Sequence, residues 1–197
     1  DYATQQFNKS NISRLKAVSW FMKMTIVAAT SREEAVTAQM ARFYQQVLAE
    51  FGVQAEVLDL KDIPTNILET TLYKKVKLPN PAWDQMQEVV SATDKFVFII
   101  PEYNGSFPGI LKVWVDAMKF PVSFKHKKAC MLGIADGTQG SAMAMSHFAD
   151  VLNYVGVHTL ALRPRFIHIG KYVRNGELQN EEYWQFMRLQ AEQFVAF

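Results

Sequence analysis

At 197 residues the chain is long enough for one domain with a full core and too short for two of ordinary size. Hydrophobic residues at 49% and charged ones at 20% give an ordinary globular composition, and no run approaches the ~18–20 apolar residues that span a bilayer, so no membrane partner is expected. Lys plus Arg at 21 against Asp plus Glu at 19 leaves no basic field of the size a nucleic acid requires, and none is expected as a partner.

The first 21 residues are polar, lack a long apolar centre and do not read as a secretion signal. Because Met22-Lys23-Met24 leads directly into a strand, residues 1–21 read as an upstream extension or an expression remnant, and residues 22–197 as the single domain. Ile12, Leu15, Val18, Trp20 and Phe21 also allow an amphipathic helix that docks on the domain or on a neighbouring subunit. Residues 24–29 read as the first strand, and 36–51 as a helix burying Met40, Phe43, Tyr44, Val47 and Leu48, stopped by Gly52. Residues 54–60 form a second strand. The connection 61–81, with three prolines, is long enough to be functional. A short helix from Asn80 or Pro81 runs through Trp83, Met86, Val89 and Val90 to the central strand at Lys95.

Phe96 to Ile100 is an unbroken apolar run, as in a strand buried on both faces of a parallel sheet. Pro101 ends it, Tyr103, Asn104, Gly105 and Ser106 make a loop, and a helix from Gly109 to about Phe120 places Ile110, Val113, Trp114 and Ala117 at helical spacing. The fourth strand is 129–135, its loop runs from Asp136 to Ser141, and a helix over 142–155 is capped by Gly156. Residues 157–162 make the fifth strand, 163–176 a second irregular stretch and 181–197 the closing helix. Five strands alternating with helices predict an α/β domain, a parallel sheet with right-handed crossovers and helices on both faces. In the order 2-1-3-4-5 the loops after strands one and three lie side by side, where such sheets bind ligands, with the loop 136–141 beside them.

The residues PEYNGSFPGILK, Pro101 to Lys112, followed by an amphipathic helix bearing Asp116, closely resemble the flavin-ring loop of the NADPH-dependent FMN reductase family, which includes quinone, azo-dye and chromate reductases. The resemblance extends from Met22 to the last helix and is strong only here and around Gly133 to Ser141. It implies a flavodoxin-like three-layer sandwich, FMN and NAD(P)H as cofactors, and a small-molecule electron acceptor: a quinone, an azo compound, a metal ion or free flavin. It also implies a homodimer or homotetramer, with the helix after Pro108 and its Trp114 as a contact face. By this resemblance Pro101, Glu102, Tyr103, Asn104 and Gly105 hold the flavin ring, Thr138, Gln139 and Gly140 face it, and Thr30, Ser31, Arg32 and Thr37 hold the phosphate at a helix N-terminus. The flavin carries the redox chemistry, so no catalytic side chain is expected. Read without the family, Tyr103 is a surface aromatic and Asn104-Gly105 a tight turn.

In the first loop the chain departs from the family pattern G-[ST]-x-R-x-x-S-x-[NST]: Ala29 stands for the glycine, Ala35 for the serine, and Glu33 and Glu34 add carboxylates. Ser31-Arg32-Glu33-Glu34 also reads as a capping box, in which Ser31 accepts from the Glu34 N–H and Glu34 reaches back, starting the helix a turn early and filling the anion site. A carboxylate ~6 Å from a phosphate of charge near −2 opposes it by on the order of 5 kcal/mol at an effective dielectric of 20, and by much less if it swings into water. The alternative is therefore a flavodoxin-like scaffold that has lost FMN and acts as a binding or interaction module.

The remaining candidates read as structural. Cys130 is an inert core thiol, and a single cysteine fits a reducing, cytoplasmic location. His126, His147, His158 and His168 have no metal-ligand spacing, so no metal is expected. Lys125, Lys127 and Lys128 read as a solvated face, with a nicotinamide cofactor's phosphate as the other use.

Overall fold

The computed structural model describes residues 22–74, 76 and 78–197; the expectations for residues 1–21 lie outside them. Four strands make a continuous parallel ladder: β1 (Met24–Ala28), β2 (Ala55–Asp59), β3 (Lys95–Pro101) and β4 (Lys128–Ile134). A fifth position is filled by β5 (His158–Thr159) and β6 (Arg165–Phe166), both pairing with β4. The order β2-β1-β3-β4-β5 is the one predicted. Ala28 aligns with both Asp59 and Ile99, and Pro101 with Ile134, so the strands end on one rim and their loops meet there.

Every residue of β3 is buried, and alternation divides them between two cores, as a sheet covered on both faces requires. Val97 and Ile99 join Met40, Tyr44 and Leu48 of α1 (Val36–Glu50) and Met187, Ala191 and Phe194 of α7 (Glu181–Ala196). Phe96, Phe98 and Ile100 join the opposite layer: Trp83 of α3 (Pro81–Ala92), Trp114 of α4 (Gly109–Ala117) and Phe148 of α5 (Ala142–Tyr154). Asn80 and Asn180 start α3 and α7, each accepting from the backbone N–H three residues on. The connection 61–81 contains the one-turn α2 (Ile67–Thr70). The second irregular stretch contains the one-turn α6 (Ile169–Tyr172) and a small hairpin of β7 (Val173–Arg174) and β8 (Glu177–Leu178).

Four expectations are corrected. The fifth strand is not continuous over 157–162, because the ladder breaks before Pro164, which has no N–H to donate. The Gln190 side chain spans the break, its Nε2 donating to Met131 O and Leu162 O at 2.8 Å each, while its Oε1 accepts from the Tyr44 hydroxyl at 3.0 Å. Trp114 is fully buried and packs against Phe96, Phe98 and Phe124, so it cannot be a contact face between subunits. Lys125 is exposed as expected, but Lys127 and Lys128 are half-buried rather than free in solvent, Lys127 Nζ donating to Val90 O and Ser91 O and Lys128 Nζ to Phe197 O. Both begin or precede β4, at the rim away from the strand ends where the loops meet, so neither is placed beside those loops. Finally, helix α1 starts at Val36 with Ala35 as its N-cap and no acidic residue in its first turn, so the Ser31–Glu34 capping box does not form. Cys130 is buried against Tyr44, and burial raises its thiol's pKa well above the usual value, in keeping with an inert core position.

Candidate functional site

The loops after β1, β3 and β4 enclose a cleft of about 580 Å³, lined by Arg32 to Thr37 from the first (Glu33 excepted), Pro101 to Tyr103 from the second and Asp136 to Gln139 from the third, together with Ile134, Ala135 and Ile169. Its size is that of a small-molecule site, and it lies where the chain reverses direction between β1 and β3.

The first loop owes its shape to Glu34, which takes a left-handed backbone conformation with φ 50 and turns the chain into α1. Ala35 offers no side-chain acceptor, so the first N–H groups of a 15-residue helix open toward the cleft without a side-chain cap. Arg32 and Thr37 line the same space. A cation, a hydroxyl and free helix-terminal N–H groups form an anion-binding set.

The second loop is fixed by a two-residue turn. Asn104 and Gly105 both have positive φ, 51 and 74, and Tyr103 and Ser106 exchange backbone hydrogen bonds at 2.8 and 3.0 Å, the pairing that an Asn-Gly turn favours. The hydroxyls of Tyr103 and buried Thr30 share a hydrogen bond of 2.6 Å, and Thr30 Oγ1 also accepts from the Arg32 N–H at 3.2 Å. First and second loops are thereby tied together. Glu102 lines the cleft, and one of its carboxylate oxygens, Oε2, is buried and lacks a hydrogen-bond partner among the described residues.

The third loop is braced from behind. Asp136 Oδ1 accepts from the Gly170 N–H at 2.8 Å, and His168 Nδ1–H donates to Asp136 O at 2.7 Å. Gly140, at φ 57, lies so close to Arg165 that a side chain would collide with it. Gly137 lines the cleft, and a Cβ there would meet nothing within 4 Å.

Of the residues expected from sequence, Arg32, Thr37, Pro101, Glu102, Tyr103, Thr138 and Gln139 come together on the cleft wall. Five do not line it. Thr30 is buried as the strut between loops, exposed Ser31 lies outside, Asn104 and Gly105 make the turn, and Gly140 packs on Arg165. Ile134, Ala135 and Ile169 line the cleft without being among the residues expected there. The first two are the end of a strand already recognised and its next residue, so they were available in principle; Ile169 comes from an irregular stretch with no periodic signal. No group of three His, Cys, Asp or Glu residues among the described residues is placed to hold a metal ion.

Residues 22–170 match the family model of the NADPH-dependent FMN reductases, and the chain belongs to that family. It is 33% identical over 111 residues to an NAD(P)H-dependent FMN reductase of Pseudomonas aeruginosa, covering 55% of this chain and 58% of that one. It is 24% identical over 185 residues to an FMN-dependent NADPH-azoreductase of Staphylococcus aureus, covering 89% of this chain and 95% of that one. The chain thus spans under two thirds of the first relative's length and nearly all of the second's. In fold it resembles a flavoenzyme NAD(P)H:acceptor oxidoreductase from Paracoccus denitrificans, with a TM-score of 0.71, 21% identity and coverage of 89% and 96% of the two chains. The architecture is flavodoxin-like.

Proposed function

We propose that this protein is an FMN-dependent NAD(P)H oxidoreductase that passes electrons to a small-molecule acceptor of the quinone or azo class. The observation that carries the reading is the opening of the uncapped α1 N-terminus, Arg32 and Thr37 onto the same cleft as the Pro101–Tyr103 loop. The residues present fit FMN: an anion set at one end of the cleft, the Pro101–Tyr103 loop beside it, and open space over Gly137. Bound FMN would supply the two-electron chemistry between nicotinamide and acceptor. Arg32, Thr37 and the α1 N–H groups would hold the phosphate. Pro101, Glu102 and Tyr103 on one side and Thr138 and Gln139 on the other would position the ring and exclude water. Thr30 acts indirectly, by holding Tyr103.

The acidic cap that would have filled the anion site does not form, which speaks against the cofactor-free scaffold. A homodimer or homotetramer and a cytoplasmic location belong to the same reading. With Trp114 in the core, exposed Phe120, Val122 and Tyr154 are apolar side chains available for a second copy. Purified protein given FMN and NADPH is expected to bind the flavin and to oxidise NADPH when a quinone or azo dye is added. Arg32→Ala should weaken FMN binding about tenfold or more, the scale of one charge-assisted phosphate contact. Folded native protein that neither binds FMN nor oxidises NADPH would overturn the reading.

A further inference from the structure

Glu34 occupies a place where a phosphate-binding loop gains nothing from a carboxylate. It lines the cleft beside Arg32, Ala35, Val36 and Thr37, so it borders the anion set on which the proposed FMN site rests. Its side chain is exposed, and among the described residues it has no hydrogen bond and no ion pair; Arg32, equally unpaired, does not neutralise it within contact distance. The left-handed backbone at φ 50 is a conformation that glycine adopts freely and glutamate at a cost, so neither backbone geometry nor a structural contact calls for glutamate here. Nor does the neighbouring position compensate, because Ala35 is an N-cap without a side-chain hydroxyl. The residues that line the cleft include three with carboxylates, Glu34, Glu102 and Asp136, and one with a guanidinium, Arg32. The parts of the cleft suited to a ring, at Pro101 to Tyr103 and Thr138 to Gln139, lie on the other two loops and do not depend on Glu34.

We propose that Glu34 is a specificity-determining residue whose carboxylate offsets the attraction of the α1 N-terminus and Arg32 for a phosphate, so that the cleft accepts unphosphorylated flavin nearly as well as FMN. The inference rests on the flavin-binding reading above and narrows it: the ligand class is the isoalloxazine with its ribityl chain, with the terminal phosphate contributing little. A carboxylate in water-like surroundings several ångströms from a phosphate dianion reduces affinity about tenfold. That is comparable to what one cationic contact returns. A neutral ribityl terminus meets no such opposition.

The test is a fluorescence titration of the full chain with FMN and with riboflavin, for native protein, Glu34→Gln and Glu34→Gly. Native protein is expected to bind the two flavins within about tenfold of each other. Glu34→Gln should tighten FMN about tenfold and leave riboflavin unchanged, and Glu34→Gly should do the same while also relieving the backbone. Native protein that binds FMN a hundredfold or more above riboflavin, with a ratio unmoved by either substitution, overturns the proposal and leaves the flavin assignment standing. Binding of neither flavin by any of the three folded proteins overturns both.

Discussion

Thr30 is placed to support the proposed site without lining its cleft. Its hydroxyl is buried between the Tyr103 phenol, at 2.6 Å, and the Arg32 N–H, at 3.2 Å, so it joins the loop that presents the cation to the loop that presents the aromatic ring. Tyr103→Phe keeps the ring's apolar surface and removes this one bond. It is expected to cost about 1 kcal/mol of stability, measured by chemical denaturation, and to weaken FMN binding through loss of the relative placement of the two loops. Unchanged stability together with unchanged affinity would show that packing alone sets that placement. The sequence made Thr30 look like a phosphate ligand because its motif position and hydroxyl fit that role. Its hydroxyl's partner in the structure, Tyr103, lies 73 positions away, a separation at which no local pattern speaks. Arg32 and Thr37 sit beside a helix start, so their place on the cleft wall follows from a local pattern.

The same division holds for elements. Strands β1 to β4 and helices α1, α3, α4, α5 and α7 were readable because burial on one or both faces writes a period into the chain, and Asn80 and Asn180 mark helix starts by local hydrogen bonds. The split of the fifth strand was not readable, because the residue that makes it tolerable is Gln190, on the closing helix, which supplies the two donors the interrupted ladder lacks. The capping box failed for a related reason: its residues satisfy the local pattern, yet Glu34 takes a left-handed turn and the helix starts beyond it. Gln190 is fully buried, and its amide meets Met131 O, Leu162 O and the Tyr44 hydroxyl. Gln190→Leu, close in volume, strands the two carbonyls and leaves the Tyr44 hydroxyl with only its contact to Cys130 Sγ at 3.7 Å. The expected cost is about 3 kcal/mol or more, since each buried group left without a partner costs roughly 1–3 kcal/mol. Urea denaturation gives the number, and a loss under 1 kcal/mol would mean that water or a shifted strand replaces the amide.

At the scale of the molecule, the two rims of the sheet have opposite characters. One carries the loops and the cleft; the other carries Lys95 and Lys128 at paired strand starts, with Lys127 just before. Lys95 is buried, its Nζ donating to Phe194 O at 2.9 Å and Val195 O at 3.1 Å near the end of α7. The arrangement fastens the closing helix to the sheet with a cation at its carbonyl end. Burial, with the neighbouring charge of Lys128 adding to it, lowers the Lys95 pKa from 10.5 to about 8. The folded protein therefore gives up this proton before the unfolded chain does. Below about pH 8 both states carry it and the penalty of burying the charge is present in full. Between about pH 8 and 10.5 the unfolded chain binds more protons, so this group's contribution to stability rises with pH across that window. Tyr44, whose pKa burial raises, acts in the reverse sense at higher pH, so the comparison has to be made against a variant that keeps it. Lys95→Met leaves Tyr44 in place and removes the titrating amine. Denaturation of both proteins from pH 7 to 10 is expected to show native stability gaining on that of the variant as pH rises past 8. A constant difference over that range would mean that the amine, although buried in the fold, titrates as it does in the unfolded chain.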